Sequence, residues 1–164
     1  MKGIGPFIAF ILVVAISVAG VVLVLRIGKP LIEKTEDFSK FSEAKNLMNQ
    51  INSAVKEVSY EGNGSARKMS FVSSGGEYRV SSATDTIVYT LESEYELFSP
   101  GMETTEGDLT IRFYSNYTLK LVLNYTDRGI NITNDERWTK GSYNLLIKNE
   151  GYTGGKNKIR IEII

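Results

Sequence analysis

Residues 4–25 read IGPFIAFILVVAISVAGVVLVL, an uncharged run that ends at Arg26. At about 1.5 Å per residue it predicts a helix of roughly 33 Å, enough to cross the hydrocarbon core of a bilayer. A secretory signal peptide has a basic n-region, an apolar stretch of about 7–15 residues and a small-residue cleavage site. Here the apolar run is longer, and Met1-Lys2-Gly3 alone stand before it. It passes into a charged segment carrying Arg26, Lys29, Glu33, Lys34, Glu36 and Asp37. The segment is therefore read as one kept in the working protein, as a membrane anchor or something that behaves like one. A buried Leu, Ile, Val or Phe gains about 1.5–3 kcal/mol over exposure to water, so a soluble monomer is excluded. Gly5, Ala9, Ala15, Ser17, Ala19 and Gly20 are small enough to let helices approach closely, or reflect the ordinary composition of membrane helices.

Downstream, residues 26–58 predict a second, amphipathic helical stretch. Phe41, Ala44, Leu47, Met48, Ile51, Ala54, Val55 and Val58 recur at spacings of three and four, a stripe for a core. Lys40, Glu43, Lys45, Asn49, Gln50 and Lys56 make the other face. Gly28 and Pro30 mark the junction as a kink or a break.

From residue 59 the texture changes to short β-branched and aromatic runs punctuated by glycine. Strands are expected over 68–73, 77–81, 86–91, 108–114, 119–125, 130–133, 143–148 and 158–163. Ser74-Gly75-Gly76 predicts a tight hairpin and Pro100-Gly101 a turn. The fold class is α+β: a long N-terminal helix followed by an antiparallel all-β head over 59–164, an immunoglobulin-like sandwich or a small barrel.

Lys and Arg total 19 against 19 Asp and Glu, so charge offers nothing to a nucleic acid. There is no Cys and no His. Thiol nucleophiles, Ser-His-Asp chemistry, the usual zinc and haem sites and disulfides are thereby excluded. Asn131, Asn134, Asp135 and Glu136 group oxygen ligands, but miss the EF-hand spacing and read as a polar turn. Glu92, Glu94 and Glu96 alternate, which would line three carboxylates along one strand face. Paired carboxylates can hydrolyse glycosides, yet a solvated face is the simpler reading. No enzyme, cofactor or metal site is expected.

The short basic-Gly pair Lys2-Gly3, the Ile4-Gly5-Pro6-Phe7-Ile8-Ala9-Phe10-Ile11 that follows and the small-plus-aliphatic helix beyond resemble archaeal type IV pilins and the related archaellins. The closing pair of strands, 142–147 with 158–163, resembles the end of such a head. The resemblance implies cleavage between Gly3 and Ile4 by a prepilin peptidase, followed by transfer of the helix from the membrane into a homopolymeric filament through the pilus assembly machinery. The absence of acidic residues before Glu33 is unlike the bacterial pilins. Implied with it are an extracellular, adhesive filament and a head outside the cell. The other reading is a single-pass anchored protein, or minor pilin, with an extracellular β-sandwich binding module.

Orientation draws on conflicting signals. Lys2 against Arg26, Lys29 and Lys34 would leave the head in the cytoplasm by the positive-inside tendency. Four N-x-S/T sequons, at Asn63, Asn116, Asn124 and Asn131, argue for export, where chance alone would supply roughly two from eleven Asn. Asn124 closes an apolar strand and is expected to turn inward. Export is the reading taken.

Overall fold

A computed structural model describes residues 4–164. The chain divides into two compact units at Glu36/Asp37, and helix α1 (Ile4–Glu61) runs from the first into the second without a break at Gly28 or Pro30. The second unit takes in more of the chain than the expected head. It begins at Asp37, because the second part of α1 belongs to the same core as the strands.

Ten strands follow: β1 (Ala66–Ser73), β2 (Glu77–Ser81), β3 (Thr86–Glu92), β4 (Glu103–Glu106), β5 (Leu109–Phe113), β6 (Thr118–Asn124), β7 (Ile130–Ile132), β8 (Glu136–Trp138), β9 (Gly141–Thr153) and β10 (Lys156–Ile163). They form two open sheets, β1-β9-β10-β7 and β4-β5-β6-β3-β2-β8. Neither closes into a barrel. The class is α+β with predominantly antiparallel pairing; β7 alone runs parallel to its neighbour β10, through Ile130↔Asn157 to Ile132↔Ile159.

Alternation built the sheets as expected. Leu109, Ile111 and Phe113 of β5 and Ile159 and Ile161 of β10 point inward, with polar residues between them facing out. The predicted helical stripe is buried too: Phe41, Ala44, Leu47, Met48, Ile51, Val55 and Val58 pack with Ile87, Leu121, Leu123, Leu145 and Ile147, with Ala54 at the margin. An immunoglobulin-like arrangement places its core between two sheets alone, whereas here a helix shares it. Phe41 meets Phe98 edge-on at 5.3 Å between ring centres, and Phe98 lies 4.3 Å from Phe113. That trio fastens the irregular segment after β3 to the helix.

Two local expectations are corrected. Ser74-Gly75-Gly76 does not close a hairpin: β1 pairs with β9 and β2 with β3 and β8, so the chain changes sheet there. At the crossing the chain is tied to the helix, where the Glu43 carboxylate accepts the Ser74 N–H (2.9 Å). Gly76, at φ +74°, presses so close to the Tyr89 ring that a Cβ would lie 2.3 Å from it. Glu92, Glu94 and Glu96 do not share a strand face, because β3 ends at Glu92 and the chain turns irregular beyond it. The two short strands β4 and β8 carry no alternation long enough to be read locally. By contrast the closing β9–β10 hairpin is present, and its two-residue loop Gly154-Gly155 has φ of 62° and 83°. Two positive φ values in succession give the primed turn that matches strand twist, which glycine adopts without a steric penalty.

Candidate functional site

Among the described residues, α1 is long and apolar enough to cross a membrane, and none of its most apolar 18-residue window is buried. Phe7, Ile8, Phe10, Ile11, Leu12, Val13 and Val14 step around the axis at about 100° each, so no face is left polar. Exposure stays high to the end of the run, 70% at Val24 and 66% at Leu25. A helix apolar all round requires an apolar surrounding on every side. Its one hydroxyl in this run is already satisfied, Ser17 Oγ donating to the Val13 carbonyl (2.8 Å). The small residues do not form a narrow contact stripe: Gly5, Ala9, Ala15, Ser17, Ala19 and Gly20 spread over about 200° of the helix, with Ile16 among them. Beyond Arg26 the surface becomes mixed, with Lys29 and Glu33 3.5 Å apart one turn on. Of the expected cleavage pair, Gly3 lies outside the described residues and Ile4 opens α1.

The second unit is tied together by two buried or half-buried polar centres that sequence reading missed. Asn52 lies on the buried stripe between Met48 and Val55, and its amide donates to Asp108 Oδ2 (2.8 Å). Lys56 and Arg128 both pair with the same carboxylate, and the Tyr125 hydroxyl donates to Asn52 Oδ1 (3.1 Å). Lys56 first, then Asn52 and Arg128, hold the Asp108 carboxyl well below the usual carboxylate range. Burial pushes the Tyr125 phenol up, so it stays neutral and donates. The legible signal was a polar residue, Asn52, on an apolar face; its partner 56 residues away was not legible.

Asp85 forms the second centre. It adopts φ +50° just before β3, and its Oδ1 accepts the Ile132 N–H of β7 (2.9 Å). Its Oδ2 faces Lys156 Nζ at 3.2 Å, so one carboxylate joins the two sheets. At the end of α1, the buried Asn149 donates to the Val58 carbonyl (2.9 Å), and Ser65 Oγ donates to the same oxygen (2.8 Å). Between them they satisfy a carbonyl that the helix terminus leaves open.

The oxygen-rich group at 131–136 is consumed by the fold. Asn134 donates to the Ile161 carbonyl (2.6 Å) and accepts from the Ile161 N–H (2.9 Å). Asp135 accepts from the Ser82 backbone (2.7 Å) and hydroxyl (3.0 Å). No group of three or more His, Cys, Asp or Glu able to hold a metal occurs among the described residues.

The sequons fall in different settings. Asn63, Asn116 and Asn124 are exposed; Asn131 is half-buried within β7. The expectation for Asn124 is corrected: Leu119, Leu121 and Leu123 face inward, so the pleat turns Asn124 to the surface. Comparisons of the chain with protein-family models, with curated proteins and with solved structures find no match.

Proposed function

We propose that this chain is a structural subunit of an extracellular filament of the archaeal type IV pilin kind. Its apolar helices bundle in the filament core and its folded heads form an adhesive surface. The observation that carries the reading is the uncovered apolar surface of α1 from Phe7 to Leu25, joined to a unit that buries its own core. Copies of the same helix provide apolar neighbours on every side, as lipid does before assembly. The prepilin peptidase would release the chain between Gly3 and Ile4, and the head carries N-linked sugar outside the cell.

Filaments sheared from source cells and resolved by cryo-electron microscopy test this. The expected result is a filament made of this chain, with helices in its core and Ile4 as first residue by mass spectrometry. Protein found only in the membrane, with no filament, overturns the reading in favour of an anchored module. Persistence of Met1–Gly3 in assembled protein overturns the cleavage.

A further inference from the structure

The four sequons differ in whether their two chemical groups are free. Glycosylation needs the asparagine carboxamide as nucleophile, and the enzyme that recognises the motif engages the hydroxyl two residues on, which a hydrogen bond within the fold withholds. Asn131 fails on both counts. Its Nδ2 lies 3.4 Å from Asp85 Oδ1, and the Thr133 hydroxyl donates to Glu150 (2.9 Å). At Asn124 the side-chain oxygen accepts the Thr126 N–H (2.9 Å), and the Thr126 hydroxyl donates to the Thr84 carbonyl (3.0 Å). Asn63 is exposed, but the Ser65 hydroxyl is held by the Val58 and Gly62 carbonyls at 2.8 and 2.7 Å.

Asn116 is unlike the other three. It sits at the tip of the β5–β6 hairpin, where Tyr117 N–H donates to the Tyr114 carbonyl (3.1 Å) and Tyr114 N–H to the Thr118 carbonyl (2.9 Å). Tyr117, at φ +57°, completes a three-residue loop that presents Asn116 outward. Asn116 is exposed, and no hydrogen bond commits its carboxamide or the Thr118 hydroxyl among the described residues; Thr118 itself is 9% exposed, at the foot of the loop. Both residues line an open groove of about 840 Å³ on the six-stranded sheet, together with Arg79 and Lys120 and the carboxylates of Glu77 and Glu92. The groove leaves room for a sugar beside the tip, and its polar lining of mixed charge suits sugar hydroxyls.

We infer that Asn116 is the principal N-glycan acceptor of this chain. The inference rests on the export assumed in the proposed function. The donor is a lipid-phosphate-linked oligosaccharide. Asn116 Nδ2 attacks its anomeric carbon, an N–C bond forms and the C–O bond to the lipid phosphate breaks. The phosphate leaves with the electron pair, and the amide nitrogen gives up one proton.

Trypsin separates the four sites cleanly, because Lys and Arg flank each one: 57–67 holds Asn63, 113–120 holds Asn116, 121–128 holds Asn124 and 129–137 holds Asn131. The test is glycopeptide mass spectrometry of the full chain from source cells, with protease added to intact cells in parallel. The expected result is sugar on 113–120 at higher occupancy than on any other peptide, and loss of most of the glycan mass in Asn116→Gln but not in Asn131→Gln. Equal or greater occupancy elsewhere, or a bare 113–120, overturns the assignment. A head digested from outside with a bare 113–120 overturns Asn116 alone. A head protected until lysis overturns the export reading and the assignment together.

Discussion

Residues 7–25 and residues 41–58 lie on the same helix, yet they meet water in opposite ways. The first set is apolar at nearly every position and exposed all round; the second is apolar at every third or fourth position and buried along that stripe. A stripe can be covered by sheets of the same chain, because its opposite face remains soluble. A continuous apolar surface leaves no soluble face opposite; under the proposed function its apolar neighbours are lipid and then other copies. One helix thus holds a self-contained half and a dependent half.

Four expectations would break or sharpen that contrast. The largest concerns the self-contained half: Ile51→Ala should lower the stability of the folded head by about 2–5 kcal/mol in urea denaturation. Val14→Ala should leave the head transition within about 0.5 kcal/mol of wild type. Equal effects would end the distinction between the halves. Next, Val14→Asp places a carboxylate in the dependent half, at a cost of about 2.5–3.5 kcal/mol at the centre of a membrane helix. Membrane retention or filament formation, followed by fractionation and microscopy, should be lost while the head melts normally. Normal filaments would remove the helix as the assembly element.

Smaller effects probe how the head is held to its part of the helix. Gly76→Ala should cost about 1–3 kcal/mol, since the left-handed φ disfavours a Cβ and the Tyr89 ring occupies its place. A cost below about 0.5 kcal/mol in the same denaturation experiment would show that the sheet-to-sheet crossing tolerates adjustment. Asp108→Asn should cost about 1–2 kcal/mol near neutral pH. Because the folded carboxyl is held below its ordinary value, its contribution is full above about pH 4 and lost as pH falls through the folded value. The difference between wild type and Asp108→Asn should therefore shrink on acidification below about pH 4, and a difference independent of pH would remove the ion-paired carboxylate as its cause.

Much of the architecture was legible because its signals are local. An uncharged run of membrane length, a three-and-four periodicity and a period-two alternation each repeat within a few residues. They located both helical stretches and eight of the ten strands. Glu103–Glu106 and Glu136–Trp138 escaped notice because four and three residues hold no pattern. They are strands only because β5 and β2 offer free ladder edges beside them. The four sequons are equally local and look alike as text; exposure and committed hydroxyls are what separate Asn116 from Asn131.

By itself, then, the sequence determined that this chain has a helix requiring an apolar surrounding and a strand-rich head after it, because burial follows from the spacing of apolar side chains along one element. Tertiary structure alone decided that the chain changes sheet at Ser74–Gly76 and that β7 runs parallel to β10. It also decided that Asn52, Lys56 and Arg128 converge on Asp108, and that the sheets share their core with the helix. Those outcomes join residues tens of positions apart. They depend on which edges and polar groups remain unpaired once the local elements have formed, and no short stretch of sequence carries that information.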